Sequence, residues 1–228
     1  MIAKFIFLIL LVSCSSRTLL KETTTKKEHN EKFLKESLDV RLWQEKFENR
    51  DRDVYVNKEK IVEALDISKS DHIVDVGAGT GFFLKLLNEK LGDAGKLYAV
   101  DISPGFVDFM KARKKAENLN KLTVIKGDDD STNLKDNSVN IVFLCDTYHH
   151  FDNPKEMLKD LKRILRSGGY MYVVDFDRSK GKLKKWLLKH ISKSKKDYIK
   201  EIVSHGYELV EDMKVPLEDN FMLKFRVK

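Results

Sequence analysis

The chain has 228 residues, 42% of them hydrophobic and 35% charged, with a formal net charge of +7. That length suits one domain with a leader, the apolar share suffices for a packed core, and a cysteine count of 2 excludes a disulfide framework or a cysteine-rich zinc site. The lysine excess gathers between Lys180 and Lys200 with only Trp186 and Tyr198 among it, so it reads as a solvated face, and nucleic acid is not an expected partner.

The first residues read as a leader. Lys4 is followed by an unbroken apolar run from Phe5 to Val12 and then by Ser13-Cys14. The run is too short for a mature membrane span but suits a signal peptide. Leu11-Val12-Ser13-Cys14 resembles the bacterial lipobox, whose cysteine is diacylated and becomes the new N-terminus. That resemblance implies lipidation of Cys14 and a membrane-anchored lipoprotein of the cell envelope, since several acyl chains hold where one does not. The competing reading is a cytoplasmic protein whose start is apolar by chance. Residues 15–30 are polar and lack apolar periodicity, as expected of a tether, which leaves 31–228 as the folded domain.

Within the domain, Phe33, Leu34, Leu38, Leu42 and Phe47 recur at helical spacing, and a second helix is expected over 58–65. "HIVDV" (72–76) is a strand, followed by a helix over 82–91. "KLYAVD" (96–101) is a strand, and Ser103-Pro104 opens the next helix with a capping serine and a proline at its first position. "LTVIKG" (122–127) and "VNIVFLCD" (139–146) are strands. A helix runs from Asn153-Pro154 to about 165, closed by Ser167-Gly168-Gly169. Then come the strand "YMYVVDF" (170–176), a basic helical stretch, a helix near 197–204, and two strands near 207–213 and 220–227. Continuous apolar strands alternating with helices predict an α/β doubly wound, mostly parallel, Rossmann-like sheet, with an antiparallel hairpin at one edge.

In such a sheet ligands bind beyond the carboxyl ends of the strands. Gly77, Gly79 and Gly81 stand there, after the first strand, and Asp101 ends the second, where a carboxylate can accept from both ribose hydroxyls of a nucleoside. Dinucleotide enzymes and methyltransferases share those features, and further details separate them. The last glycine of a dinucleotide fingerprint is Phe82 here, which would crowd a pyrophosphate at the helix start. Asp75, two residues before the first glycine, would repel a pyrophosphate but suits the cationic methionine end of S-adenosylmethionine. Asp128 and Asp129 follow the third strand, where an acid can accept from the adenine amino group. The cofactor expected is S-adenosyl-L-methionine.

"VDVGAGTGFF", "YAVDISP", "VIKGDDD", "NSVNIVFLCDTYHHF" and "LKRILRSGGYMYVVDF" resemble the ordered motifs of class I S-adenosylmethionine-dependent methyltransferases. They are most similar to the small-molecule branch related to ubiquinone/menaquinone biosynthesis. The resemblance covers about 40–228 and implies a seven-stranded sheet of order 3-2-1-4-5-7-6. It implies that Gly77, Ala78, Gly79 and Gly81 form the methionine-side loop, that Asp101 with Ile102 takes the ribose, and that Asp128 or Asp129 takes adenine. Asn140, at a position often Asp, and "STNLKD" after the third strand depart from the family pattern.

Methyl transfer from a sulfonium is an in-line displacement, so the enzyme has to align donor and acceptor and can remove a proton from the acceptor. The loop "CDTYHHF" follows the fourth strand. Asp146 can bond the methionine amino group, while Tyr148 and His149 are candidates to position the acceptor, His149 also as a base. A structural cap of the loop is the competing role for either ring. His190, in the stretch where this fold gathers substrate residues, is a further catalytic candidate. No metal set is expected, because acidic partners at ligand spacing are missing around these histidines. Leu183, Trp186, Leu187 and Ile191 share one face of the basic helix, as a cover for the core or as a lid on anionic lipid. The expected partner is a small-molecule methyl acceptor, and the anchor and the basic helix fit a lipophilic one. A membrane-tethered binding protein without turnover is the rival, and an NAD-dependent oxidoreductase is the third reading.

Overall fold

The computed structural model describes residues 30–35, 37–180 and 185–228. The leader with Cys14, the tether through residue 29, Leu183 and the Trp186 side chain lie outside this description. Asn30, read from sequence as the last tether residue, is buried, and its side-chain amide donates to the His150 carbonyl at 2.9 Å.

After helical residues 30–34 come helices α1 (Val40–Phe47), α2 (Asp53–Val56) and α3 (Lys58–Glu63). The core then alternates: β1 (His72–Val76), α4 (Leu84–Lys90), β2 (Lys96–Asp101), α5 (Pro104–Ala116), β3 (Leu122–Lys126), β4 (Val139–Cys145), a 3₁₀ turn (Tyr148–His150), α6 (Pro154–Ile164) and β5 (Leu165–Phe176). It ends with α7 (Lys185–His190), α8 (Lys195–Ser204), β6 (Tyr207–Asp212) and β7 (Asn220–Val227). The seven strands form one sheet of order β3-β2-β1-β4-β5-β7-β6, parallel except that β7 runs antiparallel to both neighbours. This is the α/β Rossmann-like methyltransferase arrangement expected.

Strand alternation decides which helix each side chain meets. Val74, Val76, Val142 and Leu144 pack with Met157, Leu158, Leu161 and Ile164 of α6 and with Tyr198 and Ile202 of α8. On the opposite face, Ile73, Leu97, Ile141 and Phe143 pack with Ile61, Val62, Leu84, Leu87 and Met110. Covering both faces explains why β1 and β4 are apolar at most positions and do not alternate with polar residues, each fully buried Val, Leu or Ile contributing about 1.5–3 kcal/mol. The same helix-strand alternation puts the carboxyl ends of β1 to β5 on one rim, where the loops at Gly77, Ile102, Gly127, Asp146 and Asp177 begin.

Three local expectations differ. The apolar period over 33–47 is broken, because Asp39 caps a new helix by accepting from the Arg41 and Leu42 amides. Helix α4 begins at Leu84, since the glycine turn extends through Phe83. Ser167-Gly168-Gly169 is a bulge inside β5, not a helix cap: Val139 pairs with Leu165, but Ile141 pairs with Tyr170. A side chain at Gly169 would stand 2.8 Å from the Asn140 carbonyl oxygen. Leu187 and Ile191 bury against Phe176, so those two residues serve the core rather than a lipid surface.

Candidate functional site

A cavity of about 550 Å³ opens on that rim, within the range of small-ligand sites. Its donor half is built on β1 and β2. The Gly77 and Ala78 amides donate to the Val100 carbonyl at 2.8 and 3.1 Å, folding the glycine loop back over β2. Gly77 has φ of 72°, and a Cβ there would lie 2.2 Å from Thr147 Cγ2, so only glycine fits. The Gly79 amide donates to one Asp101 carboxylate oxygen and the Ser103 amide to the other, each at 2.8 Å. Asp101 is thereby oriented from both sides at the cavity edge, with its remaining lone pairs left for ligand hydroxyls.

Asp75 and Asp101 both line the cavity and both are buried, 3% and 7% exposed. Burial, reinforced by the neighbouring Asp101 charge, pushes the Asp75 carboxyl up to about 8. Burial pushes Asp101 up to about 6 against the lowering pull of the Ser103 and Gly79 amides. Two buried acids sharing a wall favour a cationic ligand, whose charge would restore their ionised forms.

Ile102, Asp128 and Asp129 complete this half of the lining. Asp128 accepts from the Asn133 side-chain amide at 3.0 Å, and both acids are exposed. Thr132, in the stretch that departs from the family pattern, is buried and donates from its amide and hydroxyl to Asp160 at 2.8 and 2.6 Å, which anchors the loop. Gly81 is absent from the cavity wall. A Cβ there would meet Leu84 Cδ1 at 2.4 Å, so this glycine lets the turn pack onto α4.

The opposite half draws on distant segments. Asp146, with φ of 50°, accepts from the Asn220 side-chain amide and from the Arg52 guanidinium. Burial raises its carboxyl and Arg52 pulls it back. Phe33, Trp43, Phe47 and Phe106 make an aromatic wall, with successive ring centroids 4.8, 5.4 and 5.9 Å apart. His149 Nδ1 lies 2.8 Å from the buried Asp175 carboxylate, which also accepts the His149 amide at 3.2 Å. Its Nε2 is 3.2 Å from His190 Nε2, and both rings line the cavity with His150.

Tyr148 does not join them. The side chain is 1% exposed, its hydroxyl donates to Glu201 at 2.9 Å, and its ring packs on Phe151 and Tyr198, so the expected catalytic role is replaced by a core one. In a 3₁₀ turn adjacent side chains point about 120° apart, so His149 reaches the cavity while Tyr148 turns into the core. The metal expectation also changes. His149, His150 and His190 each offer a ring nitrogen, and all three lie within 4.8 Å of one another.

Arg52, Asn220, Asp175 and the aromatic wall were not singled out from the sequence. Asp175 carried a signal, an acid closing a strand in "VVDF" as Asp101 closes β2; Arg52 in "NRDRD" carried none.

Residues 74–173 match the family model described as Methyltransferase domain. Among curated proteins, the Ubiquinone/menaquinone biosynthesis C-methyltransferase UbiE of Legionella pneumophila is 23% identical over 120 residues, 52% of this chain and 48% of that protein. The matched region spans 34% and 48% of the lengths of two of the curated relatives. Of solved structures, a SAM-dependent methyltransferase from Aquifex aeolicus aligns with a TM-score of 0.73 at 21% identity, over 81% of this chain and 96% of that one. The [4+2]-cyclase SpnF aligns with a TM-score of 0.61 at 15% identity, over 69% and 59%. Residues 74–173 are therefore similar to a methyltransferase domain, and the chain has the fold of the solved S-adenosylmethionine-dependent methyltransferase.

Proposed function

We propose that the protein transfers a methyl group from S-adenosylmethionine to a small-molecule acceptor held beside His149. The observation that carries this reading is the buried pair Asp75 and Asp101 on the glycine loop, a wall suited to a ligand that is both a cation and a ribonucleoside. The cofactor supplies an electrophilic methyl group on a sulfonium. Asp75 loses its proton as positive charge arrives, Asp101 accepts from the ribose, and Arg52 with Asp146 offers an ion pair that a zwitterionic amino-acid end can exchange into. The aromatic wall excludes water and favours positive charge at its ring faces. Asp175 fixes the orientation of His149, whose Nε2 takes the acceptor proton as the nucleophile forms.

The test is methyl-label transfer from S-adenosylmethionine into small molecules of an extract from the source cells. The account expects transfer that His149→Ala removes while cofactor binding persists. Binding without any transfer would favour the tethered binding protein instead, and the cyclase of the same fold shows that this fold serves other reactions.

The lipobox-like Leu11-Val12-Ser13-Cys14 after an apolar run, and the polar stretch before the domain, support a lipid anchor that holds the domain at a membrane and presents it to a lipophilic acceptor. Palmitate labelling checks this: label should be lost in Cys14→Ala, and label retained in that variant would contradict the anchor.

A further inference from the structure

We infer that His149, His150 and His190 form a binding site for one divalent late transition-metal ion of the zinc class, on the acceptor side of the cavity. The sequence hides this set, since two ligands come from the turn after β4 and the third from the end of α7, 40 residues later. In space their ligand atoms lie within 4.8 Å of one another. The ring centroids are 4.2, 5.0 and 5.1 Å apart.

Two imidazole nitrogens bound to one tetrahedral ion at the usual zinc–nitrogen distance stand about 3.3 Å apart. The His149 and His190 Nε2 atoms stand 3.2 Å apart. Asp175 supplies the usual outer partner of a metal-bound imidazole: its fully buried carboxylate lies 2.8 Å from His149 Nδ1, where it accepts a hydrogen bond from the Nδ1–H tautomer that leaves Nε2 as the ligand atom. Three neutral nitrogen donors suit zinc, cobalt or copper over magnesium or calcium. Three protein ligands leave one coordination position, and all three rings line the cavity, so that position opens toward the acceptor.

This inference deepens the proposed function and, for its role, rests on it. The open position takes water or the oxygen or sulfur of a hydroxyl or thiol acceptor, whose proton passes to solvent on coordination. Activation that the bare imidazole would supply then falls to the ion.

The test uses the untagged full-length protein stripped with a chelator and titrated with Zn²⁺ and, separately, Co²⁺. One equivalent should bind, with the visible bands of tetrahedral cobalt. His149→Ala, His150→Ala and His190→Gln should each weaken binding at least about 100-fold, and Asp175→Asn about 10–100-fold. Melting curves of the metal-free variants show whether each is folded; His190→Gln, at the end of a short helix, is the variant least able to disturb the core. No stoichiometric binding, or binding unchanged in the folded His190→Gln protein, would overturn the site. Titration of S-adenosylmethionine into the same samples separates this failure from a failure of the methyltransferase reading.

Discussion

The two halves of the cavity are made in different ways. The half around the glycine loop is close in sequence: Asp75 and Asp101 stand at the ends of two neighbouring parallel strands, and the loops that follow them are tied in by 2.8 Å bonds from the Gly79 and Ser103 amides to the Asp101 carboxylate. The opposite half, which holds Asp146 as well as the histidines, is assembled from the segments before residue 53, the turn after β4, the end of α7 and the start of β7, through side-chain contacts across long separations. The difference teaches that the wall proposed for the nucleoside end of the cofactor is a property of the sheet, whereas the walls proposed for its amino-acid end and for the acceptor depend on tertiary contacts between distant segments.

If the halves are separable, substitutions should split cofactor affinity from turnover. His149→Ala should lower kcat by about 10²–10⁴-fold with the S-adenosylmethionine affinity within a factor of three; equal losses in both would merge the halves. Asp101→Ala should weaken the cofactor by about 100-fold, measured by equilibrium binding, because it removes the ribose acceptor and frees the Gly79 amide. Gly77→Ala should cost about 2–3 kcal/mol in denaturant unfolding, from the positive φ and the clash with Thr147.

The raised Asp75 value gives a pH signature. The free protein holds this carboxyl protonated up to about 8, and a bound cation favours the charged form, so binding releases a proton. Affinity should therefore rise with pH, by at most about tenfold per unit, and level off above about 8; the Asp75 part of that slope should vanish in Asp75→Asn. The sign for folding is opposite: stability of the cofactor-free protein from this group falls as pH climbs from the ordinary carboxylate range to about 8. Calorimetry in buffers of different ionisation enthalpy counts the protons. The smallest effect is expected from Tyr148→Phe, about 1 kcal/mol of stability for the lost bond to Glu201 with near-normal turnover. A large loss of kcat there would return Tyr148 to the catalytic set.

The donor half was legible because its chemistry follows strand ends. "HIVDV" and "KLYAVD" give both the strands and, near their last positions or just after, residues that line the cavity. Asn140, the departure from the family pattern, turns out to lie at the far end of the sheet, accepting from the His72 amide and Arg166 at 3.0 Å each. The opposite half was legible only where it touches a strand end, at Asp146 and His149. Arg52, Asn220 and the convergence of three histidines depend on tertiary packing between segments whose own periodicity says nothing of their meeting. Tyr148 was misplaced for a related reason: position in a loop does not fix which way a ring turns.

The most direct measurement is calorimetric titration of the full-length protein, in detergent micelles, with S-adenosylmethionine, S-adenosylhomocysteine and NADH. The account predicts micromolar binding of the first two, lost in Asp101→Ala, and none of NADH. A folded protein that binds neither sulfur ligand, or that binds NADH in their place, would contradict it.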